Sequence, residues 1–139
     1  MNIDSIINGI VIDHITAGKA MQIYNQLNLD SLNCQIAIIK NASSNKNGTK
    51  DIIKIADEID LDLGALAVIC PTATVNIIRD GKVIEKRALK LPERIENVMR
   101  CKNPRCITTT EQEIKHIFVL TDPNTAEYRC IYCDTKAKN

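Results

Sequence analysis

Apolar residues in the first part of this chain recur in short runs with two kinds of spacing. Five runs are rich in β-branched residues, a composition typical of strands. They are residues 8–15, 34–40, 50–57, 73–80 and 82–89. Residues 16–29 and 60–70 have helical spacing instead, and Pro71 ends the second of these helices. This order predicts an α+β fold, in which a ferredoxin-like antiparallel sheet carries two helices on one face.

The first predicted strand carries a polar pair, Asp13 and His14, near its end. Strict alternation places Asp13 on the same face as Val11 and Ile15, and His14 on the opposite face. A lone His beside an Asp is usually a hydrogen-bonded structural residue. The residues alone therefore favour a structural role for His14.

The third predicted strand also alternates. Lys50 and Lys54 fall on one face together with Ile52, whereas Ile53 and Ile55 fall on the other. Two lysines on one face of an apolar strand ordinarily indicate a solvated surface. They also suit a polyanion.

Capping and turn residues mark the boundaries between these elements. Thr16 is the expected N-cap of a first helix of about three turns. Residues 41–50 predict a loop, with Asn47-Gly48 as its strongest turn signal, and Asp80-Gly81 predicts a tight hairpin turn. Residues 91–101 predict a short, ordered connector to a second domain.

Four cysteines follow the connector as two close pairs, C-x4-C and C-x2-C, separated by 23 residues. They are Cys101, Cys106, Cys130 and Cys133. Two knuckles that each present two thiolates predict a structural, tetrahedral zinc site in a small all-β domain. The metal stabilises a segment of about 40 residues, which is too small to hold a sufficient core alone.

Two other interpretations of these cysteines stay open. Iron also binds in four-cysteine sites, and two disulfides would form in an oxidising compartment, although no secretory signal precedes the chain. The remaining cysteines, Cys34 and Cys70, lie in apolar surroundings, and we interpret both as buried, inert thiols.

Composition narrows the functional classes. A charged fraction of 25% with a formal net charge of +1 argues against a strongly basic nucleic-acid binder, and aromatic residues are scarce. No run of about 18 apolar residues exists to span a membrane. We expect a soluble, cytoplasmic protein. A zinc ribbon that binds nucleic acid is the alternative, and an enzyme is less expected because no carboxylate pair or Gly-rich phosphate loop occurs.

Several stretches occur in the same order as in one known family. They are VIDHI, KDIIKI, ATVNIIRDGKVIEK, LPERIENVMRC and the four spaced cysteines. From about residue 3 to residue 133, the chain resembles the regulatory chain of aspartate carbamoyltransferase. The resemblance implies a non-catalytic protein with a nucleotide-binding allosteric domain at residues 1–92. It also implies a zinc-binding domain at residues 96–139, which contacts the catalytic chain. This domain binds one Zn²⁺ per chain.

The resemblance further implies partners. Chains of this family pair as dimers, and three such dimers bridge two catalytic trimers of an enzyme of de novo pyrimidine biosynthesis. In well-known members CTP inhibits, ATP activates and UTP can assist CTP. Neither nucleic acid nor membrane is an implied partner.

Carried over by position, the nucleotide site of the family falls on ten residues of this chain. They are Asp4, Ile6, Asp13, His14, Lys50, Lys54, Asn76, Ile78, Val83 and Lys86. The chemistry suits a nucleotide, since lysines attract phosphates and apolar side chains line a slot for a base. Gly81 stands where the best-known member has a Tyr at its base pocket, and the segment before the first strand is shorter. Both departures bear on base preference.

Overall fold

The structure, a computed structural model, describes residues 7–44 and 48–137. The chain divides into two compact units, Met1–Lys90 and Leu91–Asn139. The first contains an antiparallel sheet and two helices, and the second a smaller antiparallel sheet with a single helical turn. The predicted α+β fold class is confirmed.

Five strands form the sheet of the first unit, in the order β2-β3-β1-β4-β5 with every neighbouring pair antiparallel. The elements are β1 Gly9–Thr16, α1 Ala20–Gln26, a 3-10 turn Leu29–Ser31, β2 Ile36–Ser44, β3 Gly48–Ile55, α2 Leu63–Ile69, β4 Thr74–Arg79 and β5 Lys82–Arg87. The first four strands have the order of a ferredoxin-like sheet, and β5 extends it as a hairpin partner of β4.

The core of this unit lies between one face of the sheet and both helices. Buried apolar residues from the strands and the helices form a single cluster. Its members include Ile10, Ile12, Ile53, Ile55, Val75 and Ile77 from the strands and Ala20, Ile23, Leu66 and Ile69 from the helices. Each fully buried isoleucine stabilises the fold by about 1.5–3 kcal/mol. We call the opposite face, which carries Val11, Lys54 and Asn76, the open face.

A β-bulge in β1 overturns part of the predicted alternation. The register between β1 and β3 shifts between Ile12 and Ile15, and His14 between them has a left-handed φ of 57°. The extra residue returns Ile15 to the core, where it is 0% exposed. The predicted faces of Ile15 and His14 are therefore wrong. The third-strand alternation is confirmed, because Ile53 is buried and Lys54 lies on the open face.

Element boundaries also differ from the expected ones. β1 runs through Thr16, and the N-cap of α1 is Lys19, so α1 is two turns long instead of three. α2 begins at Leu63 and is capped by Asp62, whose side chain accepts from the backbone N–H of Ala65 at 3.0 Å. Much of the expected loop at residues 41–50 belongs to the arms of the β2–β3 hairpin.

The second unit contains a three-stranded sheet in the order β6-β7-β8. Its elements are β6 Arg94–Glu96, α3 Ile107–Thr110, β7 Ile117–Asp122 and β8 Glu127–Cys130. Ile95 of β6 is buried and pairs with Phe118 of β7, so the expected connector contributes a strand to this unit. Tyr128 of β8 is also buried and donates its hydroxyl to the carbonyl oxygen of Pro92 at 2.6 Å.

Across residues 7–44 and 48–137, no helix is both long and apolar enough to span a bilayer.

Candidate functional site

The four spaced cysteines of the second unit converge on one point. Their sulfur atoms all lie within 4.8 Å of one another, and all four thiols are free. Cys101 Sγ is 3.5 Å from Cys133 Sγ, and Cys106 Sγ is 3.7 Å from Cys130 Sγ. A zinc ion with Zn–S bonds of about 2.3 Å separates tetrahedral sulfurs by roughly 3.8 Å. The cluster therefore has the donor set and the size for one zinc ion.

Backbone turns shape the two knuckles that carry these sulfurs. In the first, the side chain of Asn103 accepts from the N–H of Arg105 at 3.0 Å, and its carbonyl accepts from the N–H of Cys106 at 3.1 Å. In the second, the N–H of Asp134 donates to the carbonyl of Cys130 at 2.9 Å. Each turn brings two cysteines to the same side, as thiolate chelation requires.

The protonation of the thiols follows from their surroundings. Burial raises the pKa of Cys101 to about 12, and burial likewise raises the pKa of Cys130. Burial also acts to raise the pKa of Cys133, but hydrogen bonds with Thr135 and Asn103 outweigh it and lower that pKa to about 6. Because zinc binds thiolates, metal binding must release protons from the buried thiols.

His116 hydrogen-bonds the backbone of one of these cysteines. The backbone N–H of Cys101 donates to Nδ1 of His116 at 3.1 Å, so Nδ1 is the acceptor of this hydrogen bond. His116 is fixed in turn by Asn97, whose side-chain oxygen accepts from the N–H of His116 at 3.0 Å. The hydrogen bond between His116 and Cys101 orients the first knuckle. This role of His116 was not predicted from the sequence.

In the first unit, the strand register aligns four of the open-face side chains in a row. Val11 of β1 lies opposite Lys54 of β3 on one side and opposite Asn76 of β4 on the other. Asn76 in turn lies opposite Lys86 of β5. Directly opposed residues of antiparallel strands project from the same face. The structure thus brings together Lys54, Asn76 and Lys86, which the resemblance predicts as site residues. Val11 lies in the same row, but the resemblance does not predict it as a site residue.

The interior of this row holds a buried polar atom. Asn76 Oδ1 is buried and has no hydrogen-bond partner within residues 7–44 and 48–137. A buried acceptor without a partner is unfavourable by about 1–3 kcal/mol, and such groups are rare in native proteins. Asn76 Oδ1 is therefore an acceptor without a partner in the described part of the chain.

The bulge of β1 adds an ion pair at the end of the open face. Lys50 Nζ lies 3.0 Å from Asp13 Oδ1, and His14 donates its backbone N–H to the same oxygen at 2.6 Å. Burial acts to raise the pKa of Asp13, but the hydrogen bonds from Lys50 and His14 outweigh it and hold the pKa below its usual value. His14 Nδ1 also lies 3.1 Å from Thr74 Oγ1, a contact that the sequence did not suggest.

At the other end of the open face lie two apolar residues of the predicted set. Ile78 of β4 pairs with Val83 of β5, and Val83 is 49% exposed. Asp4 and Ile6, which complete the set, lie outside the described residues. The described members thus fall into an apolar end, a row with two lysines, and an end with the Asp13–Lys50 pair.

Known proteins match nearly the whole of this chain. Residues 1–90 match the family model described as aspartate carbamoyltransferase regulatory chain, allosteric domain, and residues 93–139 match the metal binding domain of the same chain. The aspartate carbamoyltransferase regulatory chain of Clostridium tetani is 53% identical over 135 residues, which cover 96% of this chain and 94% of the relative. That of Bifidobacterium longum is 46% identical over 138 residues, 99% of each chain.

The two halves of the structure agree with these matches, since the metal binding domain contains the sulfur cluster. The cluster is consistent with one metal ion, which is zinc in this family. The chain belongs to the family of aspartate carbamoyltransferase regulatory chains, the non-catalytic subunits of that enzyme.

Proposed function

We propose that this chain binds nucleoside triphosphates on the open face of its five-stranded sheet and controls the catalytic chains of aspartate carbamoyltransferase. The observation that carries the proposal is the row of Lys54, Val11, Asn76 and Lys86, with Asn76 Oδ1 buried and lacking a partner in the described part of the chain. A hydroxyl or amine of a nucleotide would satisfy that acceptor. The row crosses three strand spacings, about 15 Å, which accommodates an extended nucleotide.

Each part of a nucleotide has a matching group on this face. Lys54 and Lys86 supply positive charge to the phosphates, as charge-assisted hydrogen bonds require. Asp13 offers a carboxylate to the ribose hydroxyls. Ile78 and Val83 provide an apolar surface for the base, and Val83 is half-exposed and accessible to it.

The remaining residues of the proposed site support these contacts. Lys50 is held against Asp13, so that it fixes the carboxylate and adds positive charge beside it. His14 hydrogen-bonds a phosphate or its surroundings. Asp4 and Ile6 belong to the proposed site through the family resemblance alone.

The proposed effectors are CTP, ATP and UTP. Calorimetric titration of the zinc-loaded chain with each nucleotide tests this directly. We expect saturable binding that weakens with added salt, because phosphates are bound by lysines. Absence of binding to all three nucleotides at millimolar concentration would contradict the effector site.

In the second unit, we propose that Cys101, Cys106, Cys130 and Cys133 each supply a thiolate to one structural zinc ion. With four protein ligands, the ion has no open position for chemistry. Its role is to hold the two knuckles and the small sheet together, as expected of residues 96–139 as a zinc-binding domain.

The same unit is the proposed contact with the catalytic chain. Three large apolar side chains on the knuckles are exposed: Ile107 at 47%, Ile131 at 41% and Tyr132 at 46%. They are next in sequence to the metal-binding cysteines, and exposed apolar residues there favour a protein partner. By contrast, Arg129 pairs with Glu127 and Lys115 with Glu96, so these cations are neutralised and do not favour nucleic acid.

The proposed assembly follows the family. Residues 1–92 form the allosteric domain through which two copies pair, and three such dimers bridge two catalytic trimers in the cytoplasm. Size-exclusion chromatography with catalytic trimers tests the assembly, and Tyr132→Ala is expected to weaken it without loss of zinc.

A further inference from the structure

We infer that Asp51, which no proposed contact with the nucleotide includes, is the positioning residue for the Asp13–Lys50 pair of the effector site. This inference rests on the proposed nucleotide site. Asp51 lies on the core side of β3, directly after Lys50 in the chain, and is 0% exposed. A buried carboxyl group at such a position requires hydrogen-bond partners.

Three backbone N–H groups supply those partners. Asp51 Oδ2 accepts from Gly18 at 3.0 Å and from Ala20 at 3.3 Å, and Oδ1 accepts from Asn41 at 3.1 Å. Gly18 lies in the turn between β1 and α1, and Ala20 is the first residue of α1. Asn41 lies in β2 and has a left-handed φ of 60°. One carboxylate therefore connects β3 to the chain on both of its sides.

The connection through Asn41 lies at a β-bulge of β2, and the connection through Gly18 and Ala20 follows a strand that has its own bulge. Opposite β3, β1 has an extra residue between Ile12 and Ile15, and β2 has an extra residue between Ile39 and Ala42. Beyond these bulges, Lys50 pairs with Thr16 on one side and Ala42 on the other.

A bulge re-aims the side chains of its strand, and a shift of one residue would turn them to the other face. Asp13 and His14 lie at the β1 bulge, and Asp13 Oδ1 is 3.0 Å from Lys50 Nζ. Left-handed conformations at non-glycine residues are unfavourable unless the surroundings hold them. Asp51 holds the left-handed Asn41 directly, and it holds the turn that follows the bulge of His14. Its function is thus to fix the register that brings Asp13 and Lys50 together.

The test is a double-mutant cycle on ATP and CTP affinity of the full zinc-loaded chain, measured by calorimetry. Asp51→Asn retains the shape but loses an acceptor, and we expect it to weaken binding about fivefold to tenfold. In a Lys50→Gln background the same change should weaken binding less than about twofold, because the pair that it positions is already lost. In a Lys86→Gln background, the full effect should remain, since Lys86 lies on β5, away from Asp51.

A merely structural role predicts equal weakening in all three backgrounds, and that result would overturn the inference. No weakening in any background would overturn it as well. Should Asp51→Asn not fold, Gly18→Ala decides the question by the same cycle. The added methyl group meets no atom within 4 Å, but at a φ of +95° it strains the turn that donates to Asp51. If the unaltered chain binds no triphosphate, the effector site itself is wrong, which is a distinct outcome.

Discussion

The ammonium of Lys50 lies 3.0 Å from a carboxylate oxygen of Asp13, and only 20% and 22% of these two side chains are exposed. Asp13 lies at the β1 bulge, and Lys50 pairs with Thr16 just beyond it. The ion pair joins a cation and an anion at one end of the open face, which also carries Lys54 and Lys86. The charge state of Asp13 therefore reports on the geometry of the site.

The first prediction concerns the pKa of Asp13. The hydrogen bond from Lys50 helps to lower it, so Lys50→Gln should raise the pKa of Asp13 towards the unperturbed value of about 3.9. NMR titration of the carboxyl carbon measures this shift, with Lys86→Gln as the control that should leave it unchanged. An identical pKa in both variants would argue against the ion pair.

A consequence for stability follows from the same shift. Because the folded-state pKa of Asp13 is below the unfolded value, the pair stabilises the fold at any pH above about 4. This contribution is lost as the pH falls through the folded pKa. Amide exchange of β1 and β3 in wild type and Asp13→Asn should therefore differ at pH 6 and converge towards pH 3.

The second prediction concerns the phosphates. Lys54→Ala and Lys86→Ala should each weaken triphosphate binding by about 1–3 kcal/mol, as expected for a lost charge-assisted hydrogen bond. Lys82→Ala is a matched control, because Lys82 is an exposed lysine of the same strand as Lys86. It lies opposite Arg79, however, on the other face of the sheet. Equal losses for Lys82 and Lys86 would indicate a non-specific charge effect.

The third prediction concerns the metal. Removal of zinc, or the change Cys130→Ser, should unfold the sheet of the second unit. The small core of this unit is not sufficient without the metal ion that joins the two knuckles. Zinc content and amide exchange of β7 measure the loss. Cys34→Ser is the control, because Cys34 packs against the core of the first unit and should leave the zinc in place. Retention of one zinc per chain in Cys130→Ser would remove Cys130 from the ligand set.

The fourth prediction concerns Ile95, which the sequence placed in a connector. Its side chain is 4% exposed, so Ile95→Ala should destabilise the second unit by about 2–5 kcal/mol and make zinc easier to remove. Ile84→Ala, at a residue that is 50% exposed, should change stability by less than about 0.5 kcal/mol. Competition with a chelator compares the two variants, and equal zinc retention would contradict the role of Ile95 in the sheet.

The metal cluster was predictable from the sequence because metal chemistry demands a fixed donor type at short spacing. Two close pairs of cysteines favour convergence on one metal ion, and the structure brings the sulfurs of Cys101, Cys106, Cys130 and Cys133 within 4.8 Å of one another. The sheet was predictable for a similar reason, since alternating isoleucines such as Ile53 and Ile55 can be buried only on one face.

The bulges were not predictable, because they depend on contacts between residues distant in sequence. A left-handed His14 or Asn41 is locally unfavourable, and Asp51, ten residues beyond Asn41, is what stabilises the latter. Thr16 has the side chain of an N-cap, yet strand pairing with Lys50 extends β1 through it. Tertiary pairing overrode the local preference in each case.

The central claim is that nucleotide binding on the open face regulates the catalytic chains, and one measurement tests it most directly. Aspartate saturation curves are recorded for catalytic trimers assembled with this zinc-loaded chain, with CTP, with ATP and without nucleotide. We predict that nucleotide shifts the curve for the wild-type assembly, and that the Lys54→Ala/Lys86→Ala assembly forms normally but no longer responds. Curves that coincide with and without nucleotide in the wild-type assembly, or an undiminished shift in the double variant, would contradict the claim.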